Sequence, residues 1–306
     1  MEAHAIKRVA VIGCGTIGAS WTALFLANGL DVTASELRPE AEAELRATVA
    51  GLLPTLRPDG PIGQLAFTTD LDACCRDADF VQENVIEREA VKIELMARMD
   101  AALRPHVVIA SSSSAIMVSV MQSACERPGR VVLGHPFNPP HLVPLVEIVG
   151  GAATEDWALD VAEAFYAGLG KRPIRLRKEV FGHVANRLQA AIFREAIHLL
   201  EEGVASAEEI DAAVTEGPGL RWALMGPFLT YHLAGGEDGI RGFMRQFAPM
   251  QQRLWSELGE PVLDEALQAR VSAAVEAAMS NRLMDEIRKE RDRRIDAILK
   301  ARADDV

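Results

Sequence analysis

A histidine and a glutamate set among apolar residues are the side chains of this chain best suited to acid–base work. The stretch Val131 to Gly150 reads VVLGHPFNPPHLVPLVEIVG. An apolar run, Val131 to Leu133, ends in Gly134 and delivers His135. Pro136, Pro139 and Pro140 then hold the chain open, because proline fixes φ and interrupts regular pairing. A second apolar run, Leu142 to Val149, carries one acid, Glu147. A carboxylate in an apolar strand is costly unless it is paired. Paired with His135, it would back an imidazole that takes up and returns a proton near neutral pH. A lone histidine at a strand end is more simply a satisfied polar residue, so the rest of the chain must supply the reaction.

The sequence Gly13-Cys14-Gly15-Thr16-Ile17-Gly18 offers one. It follows a β-rich run, Arg8 to Ile12, and precedes a helical pattern with Trp21, Leu24, Phe25 and Ala27 on one face. Asp31 to Ala34 reads as a second strand that finishes near Glu36. Strand, glycine turn, helix, strand and acid form the context in which GxGxxG binds a dinucleotide. Gly13 permits the tight turn, Gly15 lets the backbone approach a pyrophosphate, and Gly18 lets helix and strand pack closely. The helix start at Thr16 and Ile17 presents unpaired N–H groups to the phosphates. Glu36 would accept hydrogen bonds from the adenosine ribose and repel a 2′-phosphate, which favours NAD over NADP. Arg38 works against that preference.

The elements that must position these groups alternate in type. Pro39 to Leu56 reads as a helix, and Pro58, Gly60, Pro61 and Gly63 mark a loop. Strands are predicted at Leu65 to Thr68, Phe80 to Gln82 and Val107 to Ala110, with helices at Leu71 to Arg76 and Ala90 to Leu103. This alternation predicts an α/β fold, with an N-terminal Rossmann-like, doubly wound, mostly parallel sheet. Ligands of such sheets bind outside the carboxyl ends of the strands. Glu87, Ser114 and His135 each follow a predicted strand end, so all three should face one rim. A helix, Trp157 to Leu169, and a strand, Arg172 to Arg177, complete this part. From His183 onward the pattern is helical throughout. The expected domains are therefore residues 1–182, binding NAD, and residues 183–306, an all-helical C-terminal domain. The final run, Asn281 to Arg302, has a thin apolar stripe of Leu283, Ile287, Ile295, Ile298 and Leu299. It reads equally as a solvated helix or as a subunit-contact arm.

Composition excludes several classes. The net charge of −12 leaves no basic excess for a nucleic-acid partner. No apolar stretch reaches membrane-spanning length. Cys14, Cys74, Cys75 and Cys125 show no metal or disulfide-framework spacing, which points to a reducing, cytoplasmic compartment and no metal site. The N-terminal MEAHAIKRVAV lacks a signal-peptide pattern.

Together, GCGTIG, the serine run ASSSSAI, GHPFNPPHLVPLVEIV and the segment Lys178 to Leu188, KEVFGHVANRL, resemble the 3-hydroxyacyl-CoA dehydrogenase family in order and spacing. The resemblance implies NAD-dependent oxidation of a secondary alcohol, in a homodimer. It implies His135 as catalytic histidine, Asn138 as the asparagine of the same motif, and Glu147 as the carboxylate partner. It implies Ser114 on the reacting oxygen, Asn186 lining the substrate cleft, and Glu87 and Lys92 near the nicotinamide-side ribose. From the residues alone, Lys92 is simply a helix-surface lysine.

Two departures bear on the substrate. Many members acting on acyl-CoA carry a longer helical excursion after the second strand, whereas here the chain passes quickly from Leu56 to Leu65. The segment Gly217 to Phe228, GPGLRWALMGPF, resembles the branch containing L-gulonate 3-dehydrogenase (lambda-crystallin) and L-carnitine dehydrogenase, which act on free hydroxy acids. A small 3-hydroxy acid is the expected substrate. A 3-hydroxyacyl-CoA ester and a non-catalytic, crystallin-like NAD-binding protein are the alternatives. Arg221 could clamp a substrate carboxylate, or serve as an interdomain ion pair. Trp222, Phe228 and Tyr231 could surround a quaternary ammonium, or pack core.

Overall fold

The unbroken apolar run Val9 to Ile12 on the first strand requires cover on both faces of a sheet. The computed structural model describes residues 6–56, 60–279 and 282–303. Pro58, Asn281 and the first five residues of the N-terminus lie outside the described residues. The chain divides into two compact units, Met1–Asn186 and Arg187–Val306.

Among the described residues the first unit contains eight strands: β1 (Arg8–Ile12), β2 (Asp31–Ser35), β3 (Leu65–Thr68), β4 (Phe80–Glu83), β5 (Val108–Ser111), β6 (Val131–Pro136), β7 (Leu145–Gly150) and β8 (Arg172–Arg175). They form one sheet in the order β3-β2-β1-β4-β5-β6-β7-β8. All neighbours are parallel except β6 and β7. The order reverses between β1 and β4, the switch point at which doubly wound sheets open a crevice for a dinucleotide.

Each face has its own core. Val9 and Val11 join Trp21, Phe25, Phe80, Phe165 and Tyr166 on one side. Ala10 and Ile12 join Met96, Met99, Ile109, Val131 and Leu133 on the other. Aromatic rings dominate the first core: Trp21 stacks on Phe25 at 5.3 Å between centroids, and Phe80 lies 4.1 Å from Phe165. Helices Thr16–Ala27 and Asp156–Gly168 carry Trp21, Phe25, Phe165 and Tyr166 onto the sheet, where β4 supplies Phe80.

Gly134 does not end its strand: β6 runs on through His135 to Pro136. His135 therefore lies within a strand rather than past its end. The glycine answers a packing need instead, because a β-carbon there would lie 2.0 Å from the Tyr166 hydroxyl oxygen.

The second unit is built of helices Ala207–Thr215, Pro218–Trp222, Pro227–Ala234, Gly239–Glu257, Glu265–Ala278 and Met284–Ala303, after the long helix Ala185–Glu201. Ser206 and Glu209 form a reciprocal capping box at the start of Ala207–Thr215. Among the described residues of this unit, Ile197, Phe243 and Leu267 are the buried large hydrophobics. Leu224, Phe228 and Trp255 are exposed. The helix Met284–Ala303 buries no side chain.

Candidate active site

The antiparallel register places His135 directly opposite Glu147. The His135 Nδ1 lies 2.9 Å from Glu147 Oε2, and both side chains are buried. The other carboxylate oxygen, Oε1, accepts from the Val184 and Ala185 amides at 2.9 and 3.0 Å. Those amides open the helix Ala185–Glu201, whose N-terminus favours negative charge. Burial alone would raise the Glu147 carboxyl. The hydrogen bonds from His135 and from the two amides outweigh it and hold the carboxyl below its usual range. An ionised carboxylate only accepts, so Nδ1 carries the ring proton of a neutral His135. Its Nε2 then presents a lone pair, with the exposed Ser114 Oγ 3.3 Å away.

Behind Ser114 lies a second polar cluster. The Ser113 hydroxyl donates to Glu87 Oε1, which also accepts from the Ala115 and Ile116 amides at 2.9 and 3.3 Å. Burial pushes the Glu87 carboxyl up, but Ser113, these amides and the Lys92 charge bring it below its usual range. Lys92 is not a surface lysine: it is 1% exposed, with Nζ 2.7 and 2.9 Å from the two oxygens of Glu83 and 3.2 Å from the Val85 carbonyl. Glu83 is itself fully buried and accepts from Ser111 Oγ at 2.5 Å. A buried charge needs such a partner. Sequence reasoning missed Glu83, although an acid at the end of an apolar strand was the available signal.

His183 adjoins His135 and is not singled out by its sequence pattern. Its ring centroid lies 5.0 Å from that of His135, and its Nε2 lies 3.1 Å from the Ser113 carbonyl. Farther in, Gln82 ties Tyr166, on the aromatic core, to the serine run. It accepts from the Tyr166 hydroxyl at 2.6 Å and donates to Ser112 Oγ at 2.9 Å.

The loop Phe137–Pro144 between β6 and β7 carries Asn138, which is exposed. Lys171 clamps this loop, donating to the carbonyls of Pro140 and, at 2.9 Å, Val143. His141 Nδ1 pairs with Ser20 Oγ at 2.8 Å. Asn186 is half-buried at the end of the first unit.

The glycine turn fits a dinucleotide. Gly13 has φ of 90°, and a β-carbon there would lie 2.8 Å from the Asn84 backbone. At Gly18 a β-carbon would lie 1.9 Å from the Gly13 carbonyl oxygen. A β-carbon on Gly15 meets nothing within 4 Å, so this side of the turn is open for a phosphate. The helix beginning at Thr16 and Ile17 has no side-chain cap, leaving its first amides for an anion. Glu36 accepts from the Leu37 amide at 2.9 Å and the Cys14 amide at 3.3 Å, which holds it at the end of β2. Arg38 pairs with Glu44 at 3.3 Å.

Within the second unit, Arg221 and Trp222 end the helix Pro218–Trp222, and Phe228 and Tyr231 share one face of Pro227–Ala234. Phe228 is 84% exposed, and Trp222 and Tyr231 are each 41% exposed, so none of the three is a core residue of this unit. Tyr231 does pack one ring face on Phe243, at 4.6 Å.

Residues 8–180 match the family profile described as 3-hydroxyacyl-CoA dehydrogenase, NAD binding domain, and residues 182–272 match its C-terminal domain. The chain is 45% identical to an L-carnitine dehydrogenase of Nocardiopsis dassonvillei, over 97% of this chain and 92% of that one. It is 46% identical to an L-carnitine dehydrogenase of Pseudomonas aeruginosa, over 97% and 94%. Among solved structures, 5-formyl-3-hydroxy-2-methylpyridine 4-carboxylic acid 5-dehydrogenase, an NAD+ dependent dismutase, superposes with a TM-score of 0.86 at 26% identity, covering 97% of this chain and 99% of that one. The (S)-3-hydroxybutyryl-CoA dehydrogenase of Ralstonia eutropha gives a TM-score of 0.63 at 27% identity, covering 80% and 89%. With both domain profiles matched in order, this chain belongs to the 3-hydroxyacyl-CoA dehydrogenase family and is an NAD-dependent oxidoreductase acting on CH–OH groups.

Proposed function

We propose that the chain oxidises the 3-hydroxyl of a small free 3-hydroxy acid of the carnitine type to the 3-keto acid. The observation that carries the reaction is the register pair of His135 and Glu147, with Ser114 on the open nitrogen. NAD, when bound, supplies a hydride acceptor at its nicotinamide. The His135 Nε2 takes the hydroxyl proton as the C–H hydride leaves, and the ring becomes imidazolium. Glu147 holds Nδ1 and stabilises that charge; each pKa unit of such stabilisation is worth about 1.4 kcal/mol. Ser114 and Asn186 hydrogen-bond the oxygen as it changes from hydroxyl to carbonyl, and Asn138 shapes the adjoining loop. Gly13, Gly15, Thr16, Ile17 and Gly18 hold the pyrophosphate, and Glu36 the adenosine ribose. Glu87 takes the nicotinamide-side ribose. Lys92 acts behind it, since Glu83 and Val85 already engage its ammonium.

The choice of a free acid rests on the identity to L-carnitine dehydrogenases along 97% of the chain and on the short passage from Leu56 to Leu65. Arg221 is the proposed partner of the substrate carboxylate, with Trp222, Phe228 and Tyr231 against a quaternary ammonium. Their exposure in the helical unit supports a binding role over core packing. Steady-state kinetics with L-carnitine, L-gulonate, 3-hydroxybutyrate and 3-hydroxybutyryl-CoA test this reading. A preference for the CoA ester of about a hundredfold in kcat/KM would reject it. That ester is the second reading, supported by the matched family profile and the 3-hydroxybutyryl-CoA dehydrogenase superposition.

Residues 1–182 are the proposed NAD-binding domain, and residues 183–306 the substrate and dimerisation domain. The apolar side chains exposed on the helices, Leu224 and Trp255 among them, support a homodimer. The four free cysteines support a reducing, cytoplasmic setting. No described helix is long and apolar enough to cross a membrane.

A further inference from the structure

His183 carries two local costs that another residue would avoid. Its backbone has φ of 51°, in the left-handed region that a side chain with a β-carbon disfavours. Its ring is 2% exposed, and its Nδ1 is buried with no hydrogen-bond partner among the described residues. A phenyl ring would fill a similar space without burying an unpaired acceptor. Such costs persist where the surrounding structure requires them, and they cluster at functional sites.

The other ring nitrogen shows what is gained. The Ser113 carbonyl only accepts, so the His183 Nε2 donates to it, at 3.1 Å. This leaves Nδ1 as the lone-pair nitrogen of a neutral ring, and burial, the largest influence on this imidazole, disfavours its charged form. Ser113 is held from three sides. Its amide donates to Ser111 Oγ at 3.1 Å, its hydroxyl donates to Glu87, and its carbonyl accepts from His183. That carbonyl belongs to the planar peptide joining Ser113 to Ser114, so fixing it fixes where the backbone of Ser114 begins. The Ser114 hydroxyl is the group on His135 Nε2.

We propose that His183 is a positioning residue for the oxidation: it anchors the Ser113–Ser114 peptide and so holds the Ser114 hydroxyl at the nitrogen that takes the substrate proton. The proposal rests on the reading of His135 as the base. It gives this chain a second imidazole whose work is geometric, and links the Glu87 side of the site to the His135 side through a single serine.

A kinetic double-mutant cycle of His183→Phe and Ser114→Ala tests it, using whichever of L-carnitine, L-gulonate and 3-hydroxybutyryl-CoA is turned over fastest. His183→Phe is expected to lower kcat by about tenfold, within the range that misplacing a positioned group costs. KM and NADH affinity, read by fluorescence, stay within about twofold of wild type. In the Ser114→Ala background the same change costs less than about threefold, because the group being positioned is already gone. His183→Gln, whose amide can reach the carbonyl, recovers part of the loss. Two results overturn the proposal: His183→Phe within about twofold of wild type, or an equal loss in both backgrounds. Should the phenyl variant fail to fold, His183→Asn, which tolerates the left-handed backbone, completes the same cycle. Full activity of a His135 variant would defeat the base assignment separately, leaving the coupling of His183 to Ser114 still measurable.

Discussion

Glu147 bears on stability and, in the proposed mechanism, on chemistry. Its carboxylate takes three hydrogen bonds, from His135 and from two helix-start amides, and these keep it ionised. A carboxyl lowered in the folded state adds stability above its ordinary value of 4.5, and that stability is lost as pH falls through the folded-state value. Glu147→Gln is therefore expected to be less stable than wild type at neutral pH, with the gap closing in acid. Denaturant titrations at a series of pH values measure it; a gap that is constant down to strongly acid pH contradicts the hydrogen-bond account. The same change should lower kcat about tenfold or more, ~1.4 kcal/mol in the barrier, because the imidazolium loses its counter-charge. At the cofactor end, Glu36→Ala should weaken NAD binding and narrow the preference over NADP. Unchanged affinities for both, by fluorescence titration, would remove Glu36 from the ribose site. The histidine and its acid were legible in the sequence because a carboxylate in an apolar run needs a partner. The buried Glu83–Lys92 pair was not, because lysine on a helix reads as surface until the tertiary fold brings the acid to it.

Strands and loops explain how those residues meet. The alternation of helix and strand predicts a parallel sheet, and the six strands from β1 to β6 keep that rhythm. The exception is informative. The connection Phe137–Pro144 is too short for the crossover that a parallel neighbour demands, so β7 must return antiparallel. That constraint, readable from spacing, sets His135 opposite Glu147. The sequence reading placed His135 past a strand end because Gly134 looked like a terminator. Its actual reason, the Tyr166 hydroxyl lying where a side chain would stand, is a long-range contact invisible to local pattern. Gly134→Ala should thus displace Tyr166 from Gln82 and cost about 1–3 kcal/mol, measured by chemical unfolding; a neutral substitution would refute the close approach. The clamp on the loop makes a further prediction. Lys171 is buried over the face of Trp21, and burial pushes its ammonium down to about 7. The unfolded chain then binds the extra proton between about 7 and the ordinary value of 10.5, so wild-type stability should rise with pH across that window. Lys171→Met should flatten this rise and raise KM by loosening the loop that carries Asn138. An unaltered pH slope in the variant would show that Lys171 keeps its proton in the folded protein.

At the scale of the whole molecule, the two units differ in what they can do alone. The first covers both faces of its sheet with packed cores. The helical unit leaves large apolar side chains on its surface, which its own helices do not cover. A homodimer would cover them, and the melting temperature should then rise with protein concentration, as mass action requires. Sedimentation as a monomer at micromolar concentration would oppose the dimer. This division was only partly legible. Helical periodicity identified the second unit, but periodicity cannot distinguish an apolar stripe that packs within a chain from one that meets another copy. In the proposed mechanism the hydroxyl proton leaves on His135. Steady-state NADH formation by His135→Gln, beside wild type and with the preferred hydroxy acid, tests that most directly. The account predicts a loss of about 10²–10⁴ in kcat with NADH affinity and melting temperature retained. A variant that keeps its rate within about tenfold of wild type would contradict it.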